Sequence, residues 1–577
     1  MSHRHLTARA ILTGILFGTL LTPCNIYSGL KIGWSFNISI VALLLGVGLW
    51  ALLARIGLGR GLTRGEGNIA QTTASSSANI ISGGLVAPIP ALAMLSGANL
   101  PAGPLVVWVF AVSFLGIWIA WYLRDTLILR SGLAFPTGRA TAETLIEIFE
   151  HGREAALKLR VLLTSTVIAG GLKWLDSGAL PLPRPSLGFT LPAGGALSGL
   201  GGISAKNLTF TLDPSLMLAG FGAIIGLRAG LSLLLGAVIS WGLLGPWGLA
   251  AGFITAGDPE PAASWFPTMI EWLLWPGVAL MVTAALTKFA LHALDAHRSG
   301  DSRPRARPDA ARGPRLLGLT VASALVVLAQ VLIFQIHWLI ATVAVPIAFL
   351  LAMVAARVVG ETGIPPIGAI GKVSQLSTGI TAPGDMTSNL IGANVAGGAA
   401  GQSADLLNDL KVGHAIGAPP AYQVVAQIFG VLTGSLVGSI VYLRLIPQPA
   451  SMLITEEWPA PAVATWKVVA ETLTAGLGSV PPSALWAVAI AGTLGITVSL
   501  FEHWRDARWL PSLPALGLAM VIPASLSMTM CLGSLIGAAL ARWRMSLAER
   551  FLIAAASGLI AGESLSGVGR ALLGLID

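Results

Sequence analysis

Residues Gln402–Pro420 read QSADLLNDLKVGHAIGAPP, and a long apolar run follows to about residue 444. Asp405, Asp409, Lys411 and His414 fall on a stretch with helical spacing that runs into Gly417 and the Pro419-Pro420 pair. Asp405 and Asp409 are four residues apart. On a helix they therefore share one face, with Asn408 beside them and Leu406, Leu407 and Leu410 turned away. A charged face beside a membrane span is costly unless it borders water, a partner charge or a substrate.

The rest of the chain explains why such a face stands out. Of 577 residues, 54% are hydrophobic and only 10% charged, the mean hydropathy is +0.79, and long apolar segments recur from end to end. That excludes an ordinary soluble domain. The apolar stretches are continuous rather than alternating, which disfavours a β-barrel. The expected fold is an all-α polytopic integral membrane protein with about 14–16 transmembrane helices, including two interrupted or re-entrant segments. The 69 glycines and 34 prolines fit closely packed and broken helices. The net charge of +8 sits in short loops between spans, so it reports topology and not a nucleic-acid partner. Cys24 and Cys531 lie in separate apolar runs and offer neither a disulfide framework nor metal-ligand spacing. The basic start MSHRHLTAR is followed by no A-x-A-like cleavage site, which argues against a removed signal peptide.

Arginine distribution sets the expected orientation. Arg4 and Arg9 place the N-terminus in the cytoplasm, and the loop with Arg55, Arg60 and Arg64 and the basic loop 124–160 face the same side. Spans are expected near 10–30, 36–54, 68–96, 103–123 and 161–177, twice within 214–252, and at 267–292. The polar segment 178–213 is expected outside, with room for a small β-hairpin. Residues 293–315 contain six arginines and no apolar periodicity, as in a disordered cytoplasmic linker. This linker divides the chain into membrane halves 1–292 and 316–577. Further spans are expected near 315–335, 338–358, 415–444, 482–500, within 510–541 as a broken pair, and at 550–573, with Glu456 and Glu457 in an external loop.

Two regions cannot be plain spans. GEGNIAQTTASSSANIISGG, Gly65–Gly84, carries Glu66, Asn68, Gln71 and a run of hydroxyl residues that includes Ser75. Gly360–Gln402 carries Glu361, Lys372, Asp385, Asn389 and Asn394, punctuated by Pro365, Pro366 and Pro383. Irregular backbone survives at membrane depth only where protein buries it or a cavity wets it. Discontinuous helices, one in each half, point to a transporter's binding site. Single Ser and Thr residues here serve either close packing or binding. Lys372 has Glu361 or Asp385 as a structural partner, Glu143 suits an amphipathic cytoplasmic helix, and His414 is either interfacial or a proton carrier. Glu66 and Glu361, as intramembrane acids, are the expected proton-coupling residues. Asn68, Gln71, Ser75, Asp385, Asn389 and Asn394 are expected to bind substrate.

No Walker-type phosphate loop, H-E-x-x-H or G-x-S-x-G motif occurs, so neither an ATP-driven pump nor a metalloprotease is expected, and no cofactor or metal site. A membrane-embedded enzyme acting on a peptide or lipid is the alternative to secondary transport.

NIYSGLKIGWSF (Asn25–Phe36), the Gly65–Gly84 segment, GLAFPTGRATAETL (132–145), SADLLNDLKVGHAIGAPP (403–420) and GLIAGESLSGVGRALL resemble the oligopeptide transporter family, in its bacterial branch related to yellow-stripe-like carriers. The resemblance covers nearly the whole chain in order. It implies proton-coupled import of small peptides or peptide-like metal chelates through a central cavity, in the inner membrane, by a homodimer. The matching positions are Asn25, Tyr27, Lys31, Glu66, Gln71, Asp405, Lys411 and Pro419, which adds Asn25, Tyr27 and Lys31 to the substrate-binding candidates. HAIGAPPAYQ departs from the fuller serine-aromatic pattern of yellow-stripe-like proteins and leaves the chelate specificity open. Asp405, Asp409 and Lys411 are expected to form a gate at the inner mouth. There Asp409 would exchange partners with Lys411 or an arginine of loop 124–160.

Overall fold

The computed structural model describes residues 5–573 apart from Trp34, Asn37, Gly132, His151, 179–180, 193–201, Pro259, Ala262, 299–311, 363–366, Leu477, Ser479, Asp506 and Arg508. The chain begins with α1 (Ala8–Ile32), α2 (Ser39–Arg55), α3 (Arg64–Ala78), α4 (Pro88–Ser96), α5 (Ala102–Arg124) and α6 (Pro136–Glu150). After α7 (Gly152–Asp176), β1 (Thr190–Leu191) pairs antiparallel with β2 (Ile203–Ser204). Then come α8 (Leu216–Ile225), α9 (Leu227–Ala237), α10 (Gly245–Ala250) and α11 (Phe266–Arg298). The second part runs α12 (Arg312–Phe334), α13 (Trp338–Thr362), α14 (Ile367–Thr381), α15 (Met386–Ala415), α16 (Pro420–Leu445) and α17 (Pro449–Met452). It ends with α18 (Pro461–Ala475), α19 (Pro482–Arg505), α20 (Leu513–Ala519), α21 (Ala524–Trp543) and α22 (Met545–Leu573).

The all-α polytopic class holds. Among the described residues, 12 helices are long and apolar enough to cross a membrane. One expected span, α2, and one helix of the expected interrupted region, α15, fall outside that count for physical reasons. The α2 helix has 17 residues, slightly short, and α15 has 30 residues but too many polar ones. Some helices expose apolar rows, such as Leu12, Leu16 and Leu20 on α1.

Several expectations need adjustment. The 216–250 region is not two full spans: α8 has only 10 residues and stops at Gly226, whose φ of +82° breaks the helix. The expected hairpin exists as two-residue strands. The disordered reading of 293–315 falls largely on 299–311, outside the described residues, while its flanks are helical to Arg298 and from Arg312. The break at 510–541 lies between α20 and α21, as anticipated.

Of the two interrupted segments, Gly65–Gly84 breaks as expected. The α3 helix gives way to a 3-10 turn at Asn79–Gly83, and Gly84 has φ of +109° before α4 begins. The second breaks at Pro383-Gly384, but from Met386 onward it is one unbroken helix that already includes Asp405 and Asp409. Small residues such as Ala396–Gly401 lack the side chains that would signal an apolar span, yet in a packed setting they let neighbouring helices approach closely.

The chain gathers into two compact units, and they are not its two halves. One unit takes residues 1–29, 34–160 and 292–450, the other 30–33, 161–291 and 451–577. Each draws helices from both sides of residues 299–311.

In the first unit α15 is the axis, packed against α3, α4, α5, α6, α13, α14 and α16. On α16, Gly430, Gly434 and Gly438 repeat every fourth residue; the first two face α3 and the third the Ile80–Leu85 turn that follows it. A Cβ at Gly430 would collide with the Thr73 carbonyl oxygen, and one at Gly434 with that of Ser77. This small-residue ridge brings two backbones into direct contact. The opposite face of α16 exposes Phe429, Leu432, Leu436 and Ile440. In the second unit α8 packs the same way against α21 and α22. Gly222 abuts the Met530 carbonyl, and Gly533 abuts that of Ala219.

Candidate functional site

Where α3, α15 and α16 meet, the first unit buries a continuous polar seam. The α3 helix contributes Asn68, Gln71, Thr72, Ser75 and Ser76, all buried. Gln402, Asp405 and Asp409 come from α15, and Gln423 and Gln427 from α16; all are buried except Asp405, which is half-buried. Each set lies on one helix face because its members are spaced three, four or seven apart.

Gln427 is the hub. Its Nε2 donates to Asp405 Oδ2 and to Asp409 Oδ2, each at 2.9 Å, which uses both of its N–H bonds. Its Oε1 accepts from Gln402 Nε2 at 2.6 Å, and Gln402 Nε2 also donates to Ser76 Oγ at 3.2 Å. The other carboxylate oxygens are held from α3: Ser75 Oγ donates to Asp405 Oδ1 and Gln71 Nε2 to Asp409 Oδ1, each at 3.0 Å. Gln423 Nε2 donates to the Asp409 carbonyl oxygen. Every carboxylate oxygen thus accepts a hydrogen bond, yet among the described residues no basic side chain forms an ion pair with either aspartate. Among the described residues, four buried polar atoms of the seam have no partner: Asn68 Nδ2 and the Oε1 atoms of Gln71, Gln402 and Gln423.

Of the residues anticipated from the sequence, the structure brings together Asn68, Gln71, Ser75, Asp405 and Asp409. It places the others elsewhere. Glu66 is buried at the N-terminus of α3, where it completes a capping box with Thr63 and accepts from Arg9 Nε at 2.8 Å and Nη2 at 2.6 Å. Arg60 Nη2 lies 3.3 Å away as a second guanidinium. Glu361 is exposed at the end of α13, paired with Arg357 four residues earlier at 3.1 Å. Asn25 links Ala78 O and Phe36 N, fastening α1 to the end of α3. Tyr27 is buried on α1, and Lys31, in the second unit, lies over the Trp458 ring with 5.3 Å to its centroid. Asp385 caps α15 through Ser388 N, Asn389 exchanges bonds with Gln375, and Asn394 accepts from Trp108 Nε1 at 2.9 Å. Lys372 is buried and donates to Gln375 Oε1 at 2.9 Å, whereas His414 is exposed. Glu143 pairs with Arg139 on α6, an exposed helix face as read from the sequence.

In this structure the expected gate residues Asp409 and Lys411 are not in contact. Asp409 and Lys411 are two positions apart and so point to different sides of α15. Lys411 Nζ instead donates to the Leu133 carbonyl oxygen at 2.8 Å and lies 5.9 Å from the Phe135 ring centroid. The strap 133–138 is fastened at two further points: Phe135 N donates to Gly360 O at 2.8 Å and Gly138 N to Asn408 Oδ1 at 3.2 Å. Phe135 is fully buried with φ of +47°, a conformation a bulky residue keeps only when its surroundings enforce it.

Gln402, Gln423 and Gln427 are not among the residues singled out from the sequence. The signal is present in it: PAYQVVAQIFG sets two glutamines four apart inside an apolar run, and polar residues within a span mark an internal face.

The family model of the OPT oligopeptide transporter protein matches residues 5–573. A yeast protein of Saccharomyces cerevisiae named "Putative oligopeptide transporter" is 24% identical, with 98% of this chain and 95% of that protein covered. A probable metal-nicotianamine transporter of Oryza sativa subsp. japonica is 25% identical over 97% of this chain and 88% of its own length. Another probable metal-nicotianamine transporter, from Arabidopsis thaliana, is 26% identical over 97% and 85% respectively.

Proposed function

Because the chain belongs to the oligopeptide transporter family, we propose that it is a proton-coupled secondary transporter importing small peptides or peptide-like metal chelates. The cargo class is supported by the names of the relatives, one an oligopeptide carrier and two carriers of metal-nicotianamine. The coupling proton is assigned to the Asp405–Asp409 pair. One observation carries this: a single amide nitrogen, Gln427 Nε2, bridges two carboxylates that no described cation reaches.

Two like charges sharing one desolvated donor are held at considerable cost, because buried charges ordinarily need an opposite partner. Binding one proton removes half of that charge, and the α3–α15–α16 seam then has a different electrostatic energy in each protonation state. An equilibrium between outward- and inward-open conformations with unequal proton affinity is biased in this way. Glu66 and Glu361 fit the role less well: the first is neutralised by Arg9 and Arg60 while capping α3, and the second is solvent-exposed. The 133–138 strap, latched by Lys411, serves as the gate element in this scheme.

The test is uptake into proteoliposomes under an imposed pH gradient, with triglycine and ferric nicotianamine as probes. Wild type is expected to accumulate one of them chemically unaltered, and Glu66→Gln or Glu361→Gln that folds to keep pH-driven accumulation. Asp409→Asn should equilibrate cargo without accumulating it. Full accumulation by Asp409→Asn would show the coupling assignment to be wrong, and a chemically altered probe would favour an enzyme.

A further inference from the structure

The unpartnered atoms of the seam fall into a pattern that the coupling reading leaves unused. Asn68 and Gln71 are three positions apart on α3, and their amide heads meet: Gln71 Nε2 lies 3.4 Å from Asn68 Oδ1, 3.0 Å from Thr72 Oγ1 and 3.0 Å from Asp409 Oδ1. The nitrogen of Gln71 is therefore crowded with acceptors while its oxygen has no partner. Asn68 is the mirror case, with its oxygen engaged and its Nδ2 idle. Both side chains are fully buried, where an idle donor or acceptor costs about 1–3 kcal/mol.

We propose that Asn68 and Gln71 form a polarity-reversing amide pair that reads the protonation state of Asp409 and passes it to α3. This rests on the coupling role assigned above to Asp409. In the orientation observed, Gln71 presents N–H to an ionised carboxylate, which is acceptor-only. When a proton adds to Asp409 Oδ1, that oxygen becomes a donor facing another donor. Turning both amides by half a rotation restores the match. Gln71 Oε1 then accepts from the Asp409 hydroxyl and from Asn68 Nδ2, filling both lone pairs, and the Thr72 hydroxyl adapts by rotation. Each orientation leaves one amide donor and one amide acceptor idle, so the pair has no strong preference of its own. The proton decides between two arrangements of nearly equal bond count, which is what a bistable element requires.

Among the described residues, no other charge competes for this reading. On the elements packed against α15, Glu66 is held by Arg9 and Arg60, Glu150 by Arg64, Arg139 by Glu143, Glu147 by Lys158, and Arg357 by Glu361. Asp125 is paired with Arg124 and Arg315, Lys372 is on Gln375 and Lys411 on Leu133 O, while Arg130, His414 and Arg444 are exposed. Asp405, across Gln427, is the one titratable group sharing the site. Asn68 and Gln71 are thus positioning residues: they act through Asp409 and need not touch cargo.

The experiment is acid-minus-neutral infrared difference spectroscopy on the full chain in lipid vesicles, without cargo, using protein with carbon-13-labelled glutamine side chains. Acidification is expected to produce a carboxylic-acid C=O band that disappears in Asp409→Asn, together with a glutamine amide band that disappears in both Asp409→Asn and Gln71→Leu. In uptake assays, the pH midpoints of Asn68→Leu, Gln71→Leu and the double variant should all move by about half a unit or more, and by the same amount. A carboxyl band without any labelled-amide band overturns the polarity switch but leaves Asp409 as proton carrier. Absence of the carboxyl band overturns both. Should the leucine variants not fold, the labelled wild type against Asp409→Asn still decides the matter. Additive midpoint shifts would show two independent residues and reject the pair.

Discussion

The two units use the same packing device and put opposite chemistry on it. In the first, glycines of α16 bring it against α3, and in the second, glycines of α8 and α21 bring those helices together. Each unit also buries a carboxylate against one of these helices: Asp409 beside α3 and α16, and Glu563 of α22 beside α8. In the second unit Glu563 accepts from Ser215 Oγ and from Met217 N, each at 2.7 Å, and so caps the N-terminus of α8. That carboxylate meets a helix end whose dipole and free N–H groups favour negative charge. Asp409 meets amides that could face either way and shares its hub with a second carboxylate. A close-packed seam is therefore rigid or switchable according to whether its polar atoms have one consistent bonding pattern or two.

Breaking the shared device should produce the largest effect. Gly434→Leu and Gly533→Leu should each destabilise the protein by about 3 kcal/mol through backbone displacement, read as a fall in the thermal unfolding midpoint in detergent. If only one of them does so, the seams are not equivalent in packing. Next comes Glu66→Gln, which leaves the buried side of Arg9 without its charge partner. A loss of about 2 kcal/mol is expected in the same assay, with pH-driven uptake retained by the folded fraction.

Asp409→Asn tests the chemical difference directly. Accumulation should fall roughly tenfold or more with little change in unfolding midpoint, whereas Glu563→Gln should reverse that pattern. It costs about 1 kcal/mol as a weakened cap and leaves accumulation intact. Loss of coupling in Glu563→Gln with coupling preserved in Asp409→Asn would invert the comparison. The smallest effect is reserved for Glu361→Gln: an exposed pair four residues apart on a helix contributes less than about 0.5 kcal/mol, so neither assay should move.

Much of the site is legible in the amino-acid order alone. The Gly65–Gly84 and Asp405–Asp409 segments carry polar residues at helical spacing within an apolar chain, and both enter the seam. The glutamines of α16 are legible in principle but are overshadowed by the surrounding apolar run. Glu66 and Glu361 stand out because acids in apolar sequence are costly. What offsets that cost comes from distant positions: Arg9 is 57 residues from Glu66 in the chain, and the exposure of Glu361 depends on where α13 ends. Lys411 suggests itself as a partner for Asp409 because the two are neighbours in sequence, although a helix sends them to different sides.

The sequence by itself determined the membrane class, the helical periodicity, the presence of an interruption within Gly65–Gly84 and within Gly360–Gln402, and the shared face of Asp405 and Asp409. All of these follow from run length, local backbone preference and spacing along one helix. Only the tertiary structure decided which acids have cations and which do not, that Gln427 joins the two aspartates, and that α15 is the axis of one unit. The Arg9–Glu66 pairing and the burial of the seam depend on residues far apart in the chain, whereas only near pairs such as Arg357–Glu361 follow from local spacing.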